Sequence, residues 1–305
     1  MEQGMYVMII IIILCVMSLI SFILFGVDKH RAVHGRWRIT EKALLLAAFF
    51  GGIGGLLGML VFHHKTRKWK FRILVPLFAF VQLIVFVFVI WSSDYYRAGE
   101  TAAFAMQTDA VVAVEKTGSG WLFDGPSEED LLIFYPGAKV EETAYAPLLR
   151  MLAEQKMDVY LVKMPYHLAF FNINAAERVL KNSTYARYYL GGHSLGGAMA
   201  ANYAAEHEDA FDAVILLAAY PTKETSLDTL LVYGSEDGVL NRDRVHAAED
   251  LISGTCTAYV LEGGNHAQFG DYGLQSGDGT AGISAQEQQS RTVEEIIRFL
   301  DDGSG

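Results

Sequence analysis

Residues Tyr188 to Ala200 read YYLGGHSLGGAMA, and the fold turns on how that stretch is read. Gly192-His193-Ser194-Leu195-Gly196 fits the pattern G-x-S-x-G. Aromatic and apolar residues lead into it, and small residues (Gly197, Ala198, Ala200, Ala201) follow. The reading is a strand that delivers a serine to a sharp turn and leaves at once as a helix. Glycine is needed two places before and two places after the serine, because a Cβ at either would collide in the turn. The turn lifts the Ser194 hydroxyl clear of the backbone. It also leaves the Leu195 N–H at a helix N-terminus, where negative charge is favoured. Gly- and Ser-rich loops match this pattern by chance, so its weight comes from what surrounds it.

Upstream, Leu131–Tyr135 (LLIFY) is wholly apolar, as suits a short strand buried on both faces of a parallel sheet, and it runs into Pro136-Gly137-Ala138-Lys139. A helix with apolar Tyr145, Leu148, Leu149 and Leu152 follows, then a strand (Val159–Val162) and a short helix (Ala175–Leu180). Earlier still, Val111–Glu115 and Trp121–Phe123 predict a hairpin about Thr117–Gly120. Downstream lie the strands Ala213–Ala219, Leu230–Tyr233 and Thr257–Leu261, a helix near residues 242–251, and a closing helix at Glu294–Leu300. Strand and helix alternate, which predicts an α/β fold on a central, mostly parallel sheet.

With FYPGA after one strand and GGHSLGG two strands on, the chain resembles the α/β-hydrolase superfamily. The resemblance spans about residues 108–301. It implies that the loop after the third strand supplies one oxyanion-hole donor and the elbow the other, here the N–H groups of Ala138 and Leu195. Lys139 is the alternative to Ala138. The resemblance also places an acid at the end of the strand after next, where Gly234-Ser235-Glu236-Asp237-Gly238 offers Asp237, with Glu236 the more exposed neighbour. A histidine beyond the last strand, in Glu262-Gly263-Gly264-Asn265-His266, completes the order Ser…Asp…His. A serine hydroxyl is a poor nucleophile near neutral pH. His266 would take its proton, and Asp237 would hold the imidazole in the useful tautomer. The remaining histidines of this part (His167, His193, His207, His246) read as surface or packing residues. The segments LLIFYPGAKVEETAYAPLL, VKMPYHLAFFNINAA, GGHSLGGAMAA and GGNHAQFGDYGLQSGDG are most similar to a compact bacterial subgroup near the dienelactone hydrolases. Those enzymes use cysteine where Ser194 stands, so their substrate does not carry over. Room for a lid is small: the longest insert, Met164–Asn174, carries Tyr166, Phe170 and Phe171, which line an acyl pocket or fill the core. The stretch Gln268–Gly279 has Asp and Gly without calcium-loop spacing and reads as a loop supporting His266.

The first hundred residues differ. They hold 11 Lys/Arg against 5 Asp/Glu, so with a net charge of −11 overall the remaining 205 residues carry −17. An acidic C-terminal part argues against a nucleic-acid partner. Residues 6–25, 43–62 and 73–91 are apolar runs of about 20, the length that spans a hydrocarbon core of roughly 30 Å. MEQGM lacks the basic start of a signal peptide, so a membrane domain of two or three transmembrane helices is expected over residues 1–92. The basic residues Lys29–Arg38 after the first run, and Lys65–Arg72 before the third, both mark cytoplasmic ends. Both hold only if the middle run does not cross. Its glycines (Gly51, Gly52, Gly54, Gly55, Gly58) allow a re-entrant or broken helix, but an ordinary spanning helix is the preferred expectation. His30, His34, His63 and His64 read as parts of basic loops facing lipid headgroups. Residues 26–59 (GVDKHRAVHGRWRITEKALLLAAFFGGIGGLLGM) and 62–71 (FHHKTRKWKF) resemble a family of small bacterial membrane proteins of unknown function. Residues 93–107 read as a stalk between this part and a hydrolase domain at 108–301.

The sequence thus predicts a multi-pass protein of the cell membrane whose serine-hydrolase domain faces outward. A carboxylic ester, from a lipid or the cell envelope, is the expected substrate. Thioester or amide cleavage by the same residues is the alternative, as is a non-catalytic binding module coupled to a transport domain. The two cysteines, Cys15 and Cys256, have no metal-ligand spacing, and no cofactor or metal is expected.

Overall fold

The structure, a computed structural model, describes residues 2–126, 129–155 and 157–302. The chain divides into two compact units, Met1–Asp94 and Tyr95–Gly305.

Among the described residues the first unit holds four helices: α1 (Glu2–Val33), α2 (Glu41–Phe50), α3 (Gly52–Val61) and α4 (Trp69–Ser93). Among the described residues, two helical segments are long and apolar enough to cross a membrane, Val7–Val33 and Trp69–Ser93. The middle run corrects the expectation of one continuous spanning helix. It is two helices of 10 residues each, broken at Gly51. Ten residues rise only about 15 Å, half of a hydrocarbon core. The break follows from packing against both long helices. A Cβ on Gly51 would lie 2.2 Å from the Met17 carbonyl oxygen, on Gly54 1.7 Å from that of Ser18, and on Gly52 2.4 Å from Ala79 N. At the start of α3, Gln82 Oε1 accepts the Ile53 N–H at 2.9 Å, while Gln82 Nε2 donates to Ser18 Oγ at 2.8 Å and the Leu14 carbonyl at 3.2 Å. His64 also departs from the headgroup-facing reading. It is buried, and its Nε2 lies 2.7 Å from Oδ2 of the fully buried Asp28, whose Oδ1 accepts the Ile39 N–H at 2.8 Å.

The second unit begins with helix α5 (Glu100–Ala105), followed by β1 (Ala113–Lys116), β2 (Gly120–Asp124), β3 (Asp130–Tyr135), α6 (Ala146–Glu154), β4 (Asp158–Val162), α7 (Ala175–Asn182) and β5 (Arg187–His193). Then come α8 (Leu195–Glu206), β6 (Ala213–Leu217), β7 (Asp228–Gly234), α9 (Arg242–Glu249), β8 (Cys256–Leu261) and α10 (Ala285–Asp302). The eight strands form one sheet in the order β1-β2-β4-β3-β5-β6-β7-β8. The first two pairings are antiparallel and the others parallel. Successive strand residues face opposite sides. Leu132, Phe134, Ile215 and Val232 meet α6 and α10 on one face, and Leu131, Ile133, Leu216 and Leu231 meet α7, α8 and α9 on the other. Burial on both faces is why these strands are apolar without alternation.

Residues 95–107 are not a free stalk but part of the second unit. Tyr96 N donates to the Lys139 carbonyl at 2.7 Å, and Tyr96 O accepts from Glu141 N at 2.8 Å. The N–H groups of Gly99 and Ala102 go to the Asp271 carbonyl and carboxylate, each at 2.8 Å. Ala102 and Ala105 of α5 are buried and form a packing face.

Replacing Gln82 with Leu keeps the volume and removes three hydrogen bonds between helices, leaving the Ile53 N–H unpaired. The expected loss is about 1–2 kcal/mol of stability, read as a lower midpoint of thermal unfolding in detergent. An unchanged midpoint would mean that the α2–α3 break is held without Gln82.

Candidate active site

The parallel strands present their C-terminal ends on one edge of the sheet, and the predicted site residues lie in the loops there. β5 delivers Ser194 with φ 53° and ψ −125°, a conformation that costs a non-glycine residue on the order of 1–3 kcal/mol. Its N–H donates to the Leu217 carbonyl at 2.9 Å. The flanking glycines are required by close approach: a Cβ on Gly196 would lie 2.3 Å from the carbonyl oxygens of Tyr135 and Pro136, and on Gly192 2.6 Å from that of Tyr135. Ser194 itself is half-buried at the mouth of the turn.

β7 ends at Gly234, and Asp237 follows with a fully buried side chain. Its Oδ1 accepts the N–H groups of Val239 and Leu240, both at 2.8 Å, and its Oδ2 lies 2.8 Å from His266 Nδ1. Glu236 is exposed. The Asp237 carboxylate thus meets the ring at Nδ1, which leaves Nε2 as the other polar atom of His266. That Nε2 is buried and has no hydrogen-bond partner. A buried polar atom without a partner is uncommon and costly.

The loop after β3 carries both Ala138 and Lys139. Gly137 N donates to Tyr145 Oη at 3.0 Å, and Lys139 N, from a backbone with φ 56°, donates to the His167 carbonyl at 2.8 Å. The Ala138 N–H between them makes no hydrogen bond among the described residues. Leu195 is the first residue of α8, where no helical acceptor precedes its N–H.

The loop Gln268–Gly279, read from the sequence as a support for His266, does so through Asp278, and Gln288, which the sequence left unassigned, adds to it. The Asp278 carboxylate accepts from the N–H groups of His266 (3.1 Å), Ala267 (2.8 Å) and Gly238 (3.2 Å), which ties the loops of His266 and Asp237 together. Gln288, fully buried on α10, bonds Asn265 N at 2.9 Å and Asn265 O at 2.8 Å. Competing histidines are poor bases here. His167 is held down to about 4 by burial and then by the charge of Lys163. Burial, and then the neighbouring His266, keeps His193 well below its ordinary value. Tyr166, Phe170 and Phe171 are not core: they are 40%, 49% and 47% exposed, with rings 4.3 Å (Phe170–Phe171) and 5.7 Å (Tyr166–Phe171) apart.

Residues 131–290, just over half of the chain, match the family model described as the alpha/beta hydrolase family, and the chain belongs to that family. Residues 18–71 match a family described as a protein of unknown function, DUF1294. Over 79 residues the chain is 40% identical to the uncharacterized protein YsdA of Bacillus subtilis (strain 168), covering 26% of this chain and 89% of that one. Among solved structures, a ferulic acid esterase from Streptomyces cinnamoneus superposes with a TM-score of 0.51 at 18% identity, over 58% of this chain and 68% of that one. Est1E from Butyrivibrio proteoclasticus gives a TM-score of 0.46 at 14% identity, over 63% of this chain and 100% of that one. At such identities the likeness concerns the fold.

Asp278→Ala strips the acceptor from four backbone donors, the N–H groups of Gly238, His266, Ala267 and Gly279. It is expected to cost about 1–3 kcal/mol, measured by thermal or denaturant unfolding. No change in stability would show that the two loops are held by other contacts.

Proposed function

We propose that the second unit is a serine hydrolase cleaving carboxylic esters through an acyl-enzyme, and that the first unit anchors it in the membrane. The observation that carries this reading is the buried His266, bonded to Asp237 at 2.8 Å with its Nε2 unpaired, together with an elbow serine in strained geometry; among the described residues no hydrogen bond joins that Nε2 to Ser194. In the first step Ser194 Oγ attacks the ester carbonyl while its proton passes to His266 Nε2, and the imidazolium is offset by the Asp237 carboxylate. The tetrahedral oxyanion accepts from the N–H groups of Ala138 and Leu195. Collapse expels the alcohol, which takes its proton from His266. Water then attacks the acyl-enzyme with His266 again as base, releasing the acid and restoring Ser194.

Labelling the detergent-solubilised protein with a fluorophosphonate is the direct test. Wild type should label, while Ser194→Ala and His266→Ala should not, and on an ester substrate each should lose about 10⁴-fold or more in kcat. A folded wild type that resists labelling would overturn the hydrolase reading in favour of a binding module. Among hydrolysed substrates, a preference for thioesters or amides over esters of matched acyl length would reassign the bond.

The proposed topology places the hydrolase unit outside the cytoplasm. Support comes from the basic residues after α1 (Lys29, Arg31, Arg36, Arg38) and before α4 (Lys65, Arg67, Lys68, Lys70, Arg72). With α2 and α3 each too short to cross, both clusters can lie on the cytoplasmic face. Protease added to intact spheroplasts should remove the hydrolase unit. Protection there, with digestion only after lysis, would put that unit in the cytoplasm.

A further inference from the structure

His193, the residue before the nucleophile, is 1% exposed, and both of its ring nitrogens are engaged. Nδ1 lies 2.8 Å from Tyr145 Oη, and Nε2 lies 3.1 Å from the His266 carbonyl oxygen. Tyr145 Oη is also 3.0 Å from Gly137 N. The proton positions follow from what each group can do. Gly137 N–H can only donate, so Tyr145 Oη accepts there. The single hydroxyl hydrogen of Tyr145 then goes to His193 Nδ1, which must be bare. Nε2 carries the ring hydrogen and donates to the His266 carbonyl, which can only accept.

We propose that Tyr145 and His193 are positioning residues. One chain of hydrogen bonds, from Gly137 N–H through Tyr145 Oη–H to His193 Nδ1, and from His193 Nε2–H to the His266 carbonyl, fixes the oxyanion loop and the general base to the elbow. The inference rests on the hydrolase reading for its kinetic consequence, though not for its geometry. Each end of the chain is one bond removed from the chemistry. Gly137 is followed by Ala138, whose N–H is the proposed oxyanion donor, and the His266 carbonyl belongs to the residue whose ring is the proposed base. Space confirms how closely the three loops are fitted. A Cβ on Gly137 would lie 2.7 Å from Tyr145 Oη and 2.8 Å from His193 Nδ1. The His193 ring packs on those of His266 (centroids 4.5 Å apart), Phe269 (5.5 Å) and Tyr145 (5.5 Å), and Tyr145 in turn packs on Phe134 at 5.2 Å. Burial raises the Tyr145 hydroxyl and lowers His193, so both stay neutral and the direction of the chain is kept. Such a chain tunes where the transition-state groups stand without touching substrate, so its loss should appear in kcat rather than KM.

Two carboxamides separate the two ends. Asn at position 193 can reach the place of Nδ1 and keep the Tyr145 bond, whereas Gln can reach the place of Nε2 and keep the His266 bond. With p-nitrophenyl acetate as the probe and the full chain in detergent, Tyr145→Phe and His193→Gln should each lower kcat by about tenfold or more, with KM little changed. Because both break the same bond, the double variant should be no worse than the poorer single one. Independent effects that multiply, or a rise in KM at constant kcat, would overturn the proposal. A second readout does not depend on hydrolysis. In ¹⁵N spectra of histidine-labelled wild type, the resonances that vanish in His193→Gln should be those of an unprotonated Nδ1 and a protonated Nε2. The opposite tautomer would sink the chain even if fluorophosphonate labelling is normal. The predicted tautomer in a protein that never labels would sink the hydrolase reading and leave the chain standing.

Discussion

The turn at Ser194 rests on the carbonyl oxygens of Tyr135 and Pro136, so close to Gly196 that no side chain fits between. That contact joins the end of β5 to the end of β3 and thereby sets the serine beside the loop that offers the Ala138 N–H. It also orders the surroundings. With the elbow pressed down on β3, Gly137 comes within reach of Tyr145, and His193 is driven into the interior, where its ring has to find buried partners. The strained backbone of Ser194 is sustained by this packing, since isolated turns relax away from such angles.

The first unit uses the same device for another end. Its glycines let α2 and α3 press against the backbones of α1 and α4, and a single amide, Gln82, occupies the donor exposed where the helix breaks. Deep in an apolar unit an unpaired N–H is expensive, so the break and the amide require one another. The buried Asp28 is handled in kind, with His64, the Ile39 N–H and the nearby Lys65 and Arg38 around one carboxylate.

What could be read from the sequence was whatever has a steric or chain-order signature. The glycines about Ser194, the apolar strands and the acid-then-histidine order carry the fold and bring Asp237 and His266 to 2.8 Å. What could not be read depends on partners distant in sequence. That the Gly137 and Lys139 N–H groups are engaged depends on Tyr145 and on the His167 carbonyl, further along the chain. The loop Gln268–Gly279 was legible as a support for His266, but that Asp278 is its acceptor was not, and Gln288 looks like an ordinary helix residue until the fold brings it to Asn265. The break at Gly51 is invisible to hydropathy, because both halves are apolar. A signal was present all the same: Gln82 is the one amide in the otherwise apolar run 73–91. Likewise, the small residues of α5 fit a spacer or a tight packing face equally well, and only the contacts decide.

The segment that joins the two units has a mechanical consequence. Tyr96, two residues beyond the boundary at Asp94, is clamped on both sides of its peptide by Lys139 and Glu141, and Gly99 and Ala102 grip Asp271 in the loop after His266. Tension on the chain at residue 94 would be borne first by these bonds, at the very loop that carries the Ala138 N–H. For the same reason the second unit is bounded at Tyr95 rather than at the first strand. A cut made at the edge of the sheet, near residue 108, would strip one rim of its site of its backing.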